Sequence, residues 1–160
     1  MAVAGIIAAA VGVILLIIVA YIVVGGSISA AETVTSAQKD VTLRNEIRLG
    51  TAVLITDPVH SSANISSNIT NAGTEIISDF THMDVLVFDS VSNEYHICTY
   101  NPGETGSPGS WYIANRYQDF IHPFELDPGE KYRILVTTRG SSPEWFQITT
   151  GNGIYASAFV

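Results

Sequence analysis

The chain has 160 residues, 47% hydrophobic and only 14% charged, with seven Lys and Arg against fifteen Asp and Glu for a formal charge of −8. This composition excludes intrinsic disorder, which needs low hydrophobicity and high charge. It also excludes a nucleic-acid binder, which neutralises phosphates with Lys and Arg. One domain is the natural reading of such a length.

Residues 2 to 24 are all Ala, Val, Ile, Leu, Gly or Tyr, and Glu32 is the first charged side chain. At about 1.5 Å per residue this run makes a helix of about 35 Å, enough to cross a hydrocarbon core of about 30 Å. Tyr21 lies near the far end, where an amphipathic ring suits the interface. A secretory signal would have a basic segment followed by a shorter apolar core. No Lys or Arg precedes the run, and no Lys-Gly or Arg-Gly of a prepilin leader stands before it, although Ser29-Ala30-Ala31 offers small residues of the kind a peptidase prefers. The run therefore reads as a transmembrane or filament-core helix. Lys39, Arg44 and Arg48 follow it, which by the positive-inside count favours a cytoplasmic C-terminus. Two sequons, described below, favour an external one, and the external placement is the expectation.

Residues 27 to 49 prolong the helix. Ile28, Ala31, Val34, Ala37 and Val41 recur at spacings of three and four along one helical face, Ile47 extends it, and Gly50 supplies a stop. Gly25-Gly26 weakens the helix and invites a hinge. The apolar face can pack on its own domain or on a neighbouring copy.

Beyond Gly50, runs rich in Thr, Val, Ile, Phe and Tyr alternate with Gly, Pro, Asn, Ser and Asp, the pattern of short antiparallel strands. The predicted strands are Thr51–Thr56, Ala63–Thr70, Asp84–Asp89, Glu94–Tyr100, Trp111–Tyr117, Lys131–Thr138, Trp145–Thr150 and Ile154–Val160. Hairpin turns are expected at Ser90–Asn93 and at Gly151-Asn152-Gly153. Asp127-Pro128-Gly129-Glu130 forms a turn in which Pro fixes φ and Gly takes φ > 0. Residues 101–110, with three Gly and two Pro, read as an exposed flexible excursion. Seven or eight strands at this spacing predict an immunoglobulin-like sandwich.

Chemistry is sparse. Cys98 is the single cysteine and sits in a predicted strand near His96, where a small buried hydrophobe is expected rather than a nucleophile. His60, His82, His96 and His122 are scattered without zinc spacing. Asp79, Asp84 and Asp89 recur at intervals of five, with Asp57 in another loop. A surface calcium ion is conceivable there, against the simpler expectation of a solvated acidic rim. No phosphate-binding or nucleophile-elbow motif occurs; Gly103-Glu104-Thr105-Gly106 has no Lys after it. No enzyme and no cofactor are expected. Asn64-Ile65-Ser66 and Asn68-Ile69-Thr70 are sequons, so Asn64 and Asn68 are glycosylation candidates, expected on one face of a loop-flanked edge strand.

The segment Asn68-Ile69-Thr70-Asn71-Ala72-Gly73-Thr74 is similar to the Asn-Thr-Gly turn after an early strand in the archaellum accessory proteins of the FlaF and FlaG type, within the archaeal type IV pilin superfamily. Ala72 stands where that turn has Thr. Met83-Asp84-Val85-Leu86-Val87, Leu126-Asp127-Pro128-Gly129-Glu130 and the last hairpin at 151–153 support the resemblance. It implies a helix anchored in the cytoplasmic membrane and an external sandwich that contacts the surface layer as part of a motor's stator.

Together these readings give an α+β chain: a long N-terminal transmembrane and stalk helix (1–26 and 27–50) followed by an all-β immunoglobulin-like sandwich (51–160). The expected role is a non-enzymatic, single-pass envelope component. Its partners are the membrane, surface-layer or archaellum proteins, and another copy or a homologous pilin-like chain, with no nucleic acid. Trp111, Tyr112, Trp145 and Phe146 are candidate contacts, because aromatics are enriched at interfaces, unless they fill the core. The alternative is a subunit of an extracellular filament, with its N-terminal helix in the filament core.

Overall fold

The computed structural model describes residues 2–103, 106–117, 119 and 121–160. It divides into two compact units, Met1–Asn45 and Glu46–Val160. Helix α1 runs from Ala2 to Gly50 and continues through Gly25 and Gly26. Its residues 3–50 include a window of mean hydropathy 3.2, long and apolar enough to cross a membrane. Along the helix Ser27, Thr33, Thr35 and Thr42 turn their hydroxyls back onto the carbonyl four residues earlier, which satisfies them within the helix. The first unit consists of this helix alone and so has no core of its own.

The second unit takes the last helical turn and eight strands: β1 Val53–Ser61, β2 Asn64–Asn71, β3 Asp84–Asp89, β4 Glu94–Tyr100, β5 Ser110–Tyr117, β6 Lys131–Thr137, β7 Pro143–Thr149 and β8 Tyr155–Phe159. Their order is β1-β2-β6-β5-β4-β3-β7-β8. All neighbours are antiparallel except β4 and β5, which meet in two parallel pairs, Thr99↔Ser110 and Tyr100↔Trp111. The ladder thus has two four-stranded halves, β1-β2-β6-β5 and β4-β3-β7-β8. This is the arrangement of an immunoglobulin-like sandwich with one additional strand beside the second sheet. Its edges β1 and β8 also come into contact, so the sandwich approaches a closed barrel.

Period-2 alternation sets what each strand buries. Ile65 and Ile69 of β2, Val85 and Val87 of β3, Trp111 and Ile113 of β5, Tyr132, Ile134 and Val136 of β6, and Phe146 and Ile148 of β7 form one core with Met83, Cys98 and Leu126. Two polar groups buried in this core are paired: the Ser67 hydroxyl donates to the Thr56 carbonyl at 2.9 Å and Trp111 Nε1 to the Met83 carbonyl at 3.3 Å.

Two sequence expectations are corrected. β1 was expected to stop at Thr56, with Asp57 in a loop beyond it. Instead the strand passes through a bulge between Thr56 and Val59, with Asp57 at φ 51°. Pro is tolerated at such a bulge on an edge strand, where no ladder donor is needed. β2, expected at an edge, is paired on both sides, with β1 and β6.

The turn at 127–130 forms as read: Gly129 takes φ 85° and the Glu130 N–H returns to the Asp127 carbonyl at 3.0 Å. In the 101–110 segment, Glu104 and Thr105 lie outside the described residues.

Upstream of that turn, His122 Nδ1 lies 2.8 Å from Asp127 Oδ1, and Asp127 also accepts the His122 backbone N–H at 3.0 Å. The hydrogen bond to Asp127, reinforced by that carboxylate's charge, raises the His122 pKa above its ordinary 6.5. A raised histidine contributes stability that is complete below 6.5 and is lost as pH rises through the folded-state value. The thermal midpoint of the chain is expected to fall as pH rises above 6.5, and His122→Gln to remove that part of the decline.

Candidate functional site

The Asn-x-Gly segment is a structural joint. The Asn71 side chain, fully buried, donates to the Glu75 carbonyl at 2.7 Å and to the Leu126 carbonyl at 2.9 Å. Its Oδ1 accepts the Gly73 N–H at 3.0 Å. Gly73 is needed by proximity: a Cβ there would lie 2.6 Å from the Ala52 backbone nitrogen and closer still to the Gly50 carbonyl. The same carbonyl accepts from the Thr74 and Glu75 N–H groups at 2.7 and 3.2 Å. One carbonyl left unpaired at the helix C-terminus is thereby bonded into the sandwich.

Three of the four acidic residues considered for calcium, Asp89, Asp79 and Asp57, are committed to local geometry, while Asp84 stands exposed at the start of β3. Asp89, buried at the end of β3, accepts the N–H groups of Val91, Ser92 and Ser142 at 3.0, 2.9 and 2.7 Å. It ties the β3–β4 turn to the β6–β7 loop, and the Ser92 and Ser142 donors hold its carboxyl below the usual range. Asp79 caps a short 3₁₀ turn, Phe80–His82, and lies 2.6 Å from His82 Nδ1. Asp57 accepts from Asn68 Nδ2 at 3.0 Å. Among the described residues no three His, Cys, Asp or Glu gather as a metal site.

Cys98 is fully buried, and burial pushes its thiol up to about 11. Roughly one thiol in ten thousand is then ionised at pH 7, and the thiolate is the reactive form. Cys98 in the folded chain is expected to resist a maleimide at pH 7 and to react within minutes in guanidinium. Rapid labelling of the native protein would contradict its place in the core.

Of the four candidate contacts, Trp111 and Phe146 are fully buried and belong to the core, so they offer no surface to a partner. Tyr112 and Trp145 are the half-buried members of each aromatic pair, on the outer faces of different sheets. Asn64, at the start of β2, is exposed, while Asn68 lies mid-strand and half-buried. Both face outward, as period-2 alternation required.

Trp145 has company that sequence reading missed. Strand register places Tyr95 beside Phe88, Phe88 beside Trp145, and Trp145 beside Phe159. The result is one aromatic row across four successive strands, β4-β3-β7-β8, on the outer face of the second sheet. Phe88 and Tyr95 lie 5.1 Å apart between ring centroids, and Tyr95 meets Trp145 edge-on at 6.4 Å, a preferred aromatic geometry. Tyr95 is 65% and Phe159 73% exposed. With Glu144 these residues line a hollow of about 280 Å³. The next row, Ile97, Leu86, Gln147 and Ser157, is mixed. The outward side of β2 in the first sheet is polar by contrast: Asn64, Ser66, Asn68 and Thr70 stand on it, and Arg133 Nε donates to Ser66 Oγ at 2.8 Å.

No family model matches the sequence, and no curated relative matches it either. Solved structures do match. The archaellum periplasmic stator protein FlaG from Sulfolobus acidocaldarius superposes with a TM-score of 0.51 at 21% identity, covering 69% of this chain and 99% of that one. The chain shares its fold with an archaellum stator protein. The complex of FlaF and FlaG from the same organism also matches, at a TM-score of 0.48 and 21% identity over 68% of this chain and 87% of that one. The likeness read from the motifs holds for the fold through the FlaG match.

Proposed function

We propose that this protein is a non-enzymatic, membrane-anchored component of an archaellum. Its helix would lie in the cytoplasmic membrane, and its sandwich outside would grip the surface layer or other archaellum proteins. One combination carries this reading: a sandwich with the fold of a periplasmic stator protein on the same chain as a helix apolar enough to span a bilayer. A stator part must resist being dragged, and a long apolar helix in lipid does so because exposing its side chains to water is costly. The Gly50 joint supports the same role, since the chain leaves the helix already hydrogen-bonded to the sandwich. Aromatic and polar outer faces suit protein contact, and no chemistry is required of them.

Deleting the gene tests this directly. The expected result is cells that still assemble filaments but lose swimming, with the full chain restoring it from the membrane fraction. Normal swimming without the gene would overturn the proposal.

An external sandwich would also bring its sequons to the glycosylation machinery. Asn64 is the expected acceptor, because it is exposed at a strand end. Asn68 sits mid-strand with its amide on Asp57. Mass spectrometry of the native protein is expected to find glycan on Asn64 and less or none on Asn68; the reverse occupancy would contradict this placement of the two side chains.

A further inference from the structure

We propose that the aromatic row Tyr95, Phe88, Trp145 and Phe159, with Glu144 beside it, seats a Lys or Arg side chain presented by a protein partner. The face lacks an occupant within its own sheet: two of its rings are more than three-fifths exposed, and exposed aromatic patches on water-facing sheets mark contact sites. Its chemistry selects a cation. Ring faces carry negative quadrupole and attract ammonium and guanidinium groups within about 6 Å, and Glu144 adds a full negative charge to the lining of the same hollow.

This chain uses that attraction elsewhere and not here. Arg116 lies over the Phe124 and Tyr132 rings at 5.3 and 5.8 Å. Among the described residues no Lys or Arg lies over the rings of the row, and no cation forms an ion pair with Glu144. A second copy of the chain is the poorer occupant, because fifteen acidic against seven basic residues set like charge against like. A basic partner is favoured for the same reason. The proposal deepens the envelope reading by giving the sandwich a contact face; it rests on that reading only in taking the occupant to be a protein.

The test uses the full chain in lipid nanodiscs and a fluorescein-labelled peptide, Gly-Lys-Gly-Lys-Gly, at low salt. The wild type is expected to bind it at least about five-fold more tightly than the same peptide with acetylated lysines. Glu144→Gln, on an exposed bulge, and Tyr95→Leu, which keeps apolar area but removes the ring, should each reduce binding by about five-fold. Asp57→Asn, on the other sheet, should leave it unchanged. Equal affinity for the acetylated peptide would overturn the proposal, and so would equal losses in all three variants, which mean diffuse charge attraction. Self-association of the wild type that Tyr95→Leu abolishes would give the face to a second copy instead. None of these results bears on membrane anchoring, which the deletion experiment tests separately.

Discussion

Replacing Asn71 by Ala is expected to lower the unfolding free energy of the sandwich by about 3 kcal/mol, since a buried amide loses three hydrogen bonds at about 1 kcal/mol each. The amide uses both its N–H groups and its oxygen: Glu75 and Leu126 offer carbonyls and Gly73 an N–H. Asn71 itself is fully buried, and of its three partners the Leu126 carbonyl keeps the Ile77 N–H at 3.1 Å. In a domain of this size the loss corresponds to a fall of roughly 12 °C in thermal midpoint. Asn71→Asp should be no milder. It keeps an acceptor for Gly73 but turns a carboxylate oxygen toward the Leu126 and Glu75 carbonyls. Chemical denaturation followed by Trp fluorescence reads both variants, and a loss below about 1 kcal/mol for Asn71→Ala would mean that the joint does not hold the sandwich.

The second large effect concerns the helix. Leu16→Lys puts a charge near the middle of the apolar run, at a cost of about 2.5–3.5 kcal/mol on insertion scales. A lone anchor keeps some twenty apolar neighbours and can let the ammonium reach toward the interface. Membrane association is therefore expected to fall but remain measurable, with swimming impaired in proportion. In a filament core every subunit would bury the same charge against its copies, without water, and assembly would fail outright. Loss of a visible fibre at unchanged levels of membrane-bound chain would favour the filament subunit over the anchor.

Most of the fold was legible because it is local. Alternating apolar residues bounded by Gly, Pro and Asn placed all eight strands, and the Asp127-Pro128-Gly129-Glu130 turn formed as composed. β1 was read as ending at Thr56 with Asp57 in a loop; Asp57-Pro58 has turn chemistry, and only its position beside β2 converts that chemistry into a bulge. The aromatic row was legible in part. Trp111-Tyr112 and Trp145-Phe146 each put one ring inward and one outward, but the phase of the alternation is set by the whole sheet rather than by the pair. Phe88, Tyr95 and Phe159 were passed over because none of them adjoins another Phe, Trp or Tyr in the sequence. They become a row only through the register of four strands, and nothing near any of them in sequence encodes that.

The central claim, a helix in the membrane with the sandwich outside, is tested most directly by labelling intact cells. Val91, in the turn between β3 and β4, is 75% exposed, and Cys98 is the only native cysteine and is buried. A Val91→Cys chain therefore offers one reactive thiol at the far side of a hairpin. A membrane-impermeant maleimide is expected to label this variant in whole cells as fully as after lysis, and to leave the wild type unlabelled. Labelling of Val91→Cys only after lysis would put the sandwich in the cytoplasm and contradict the account.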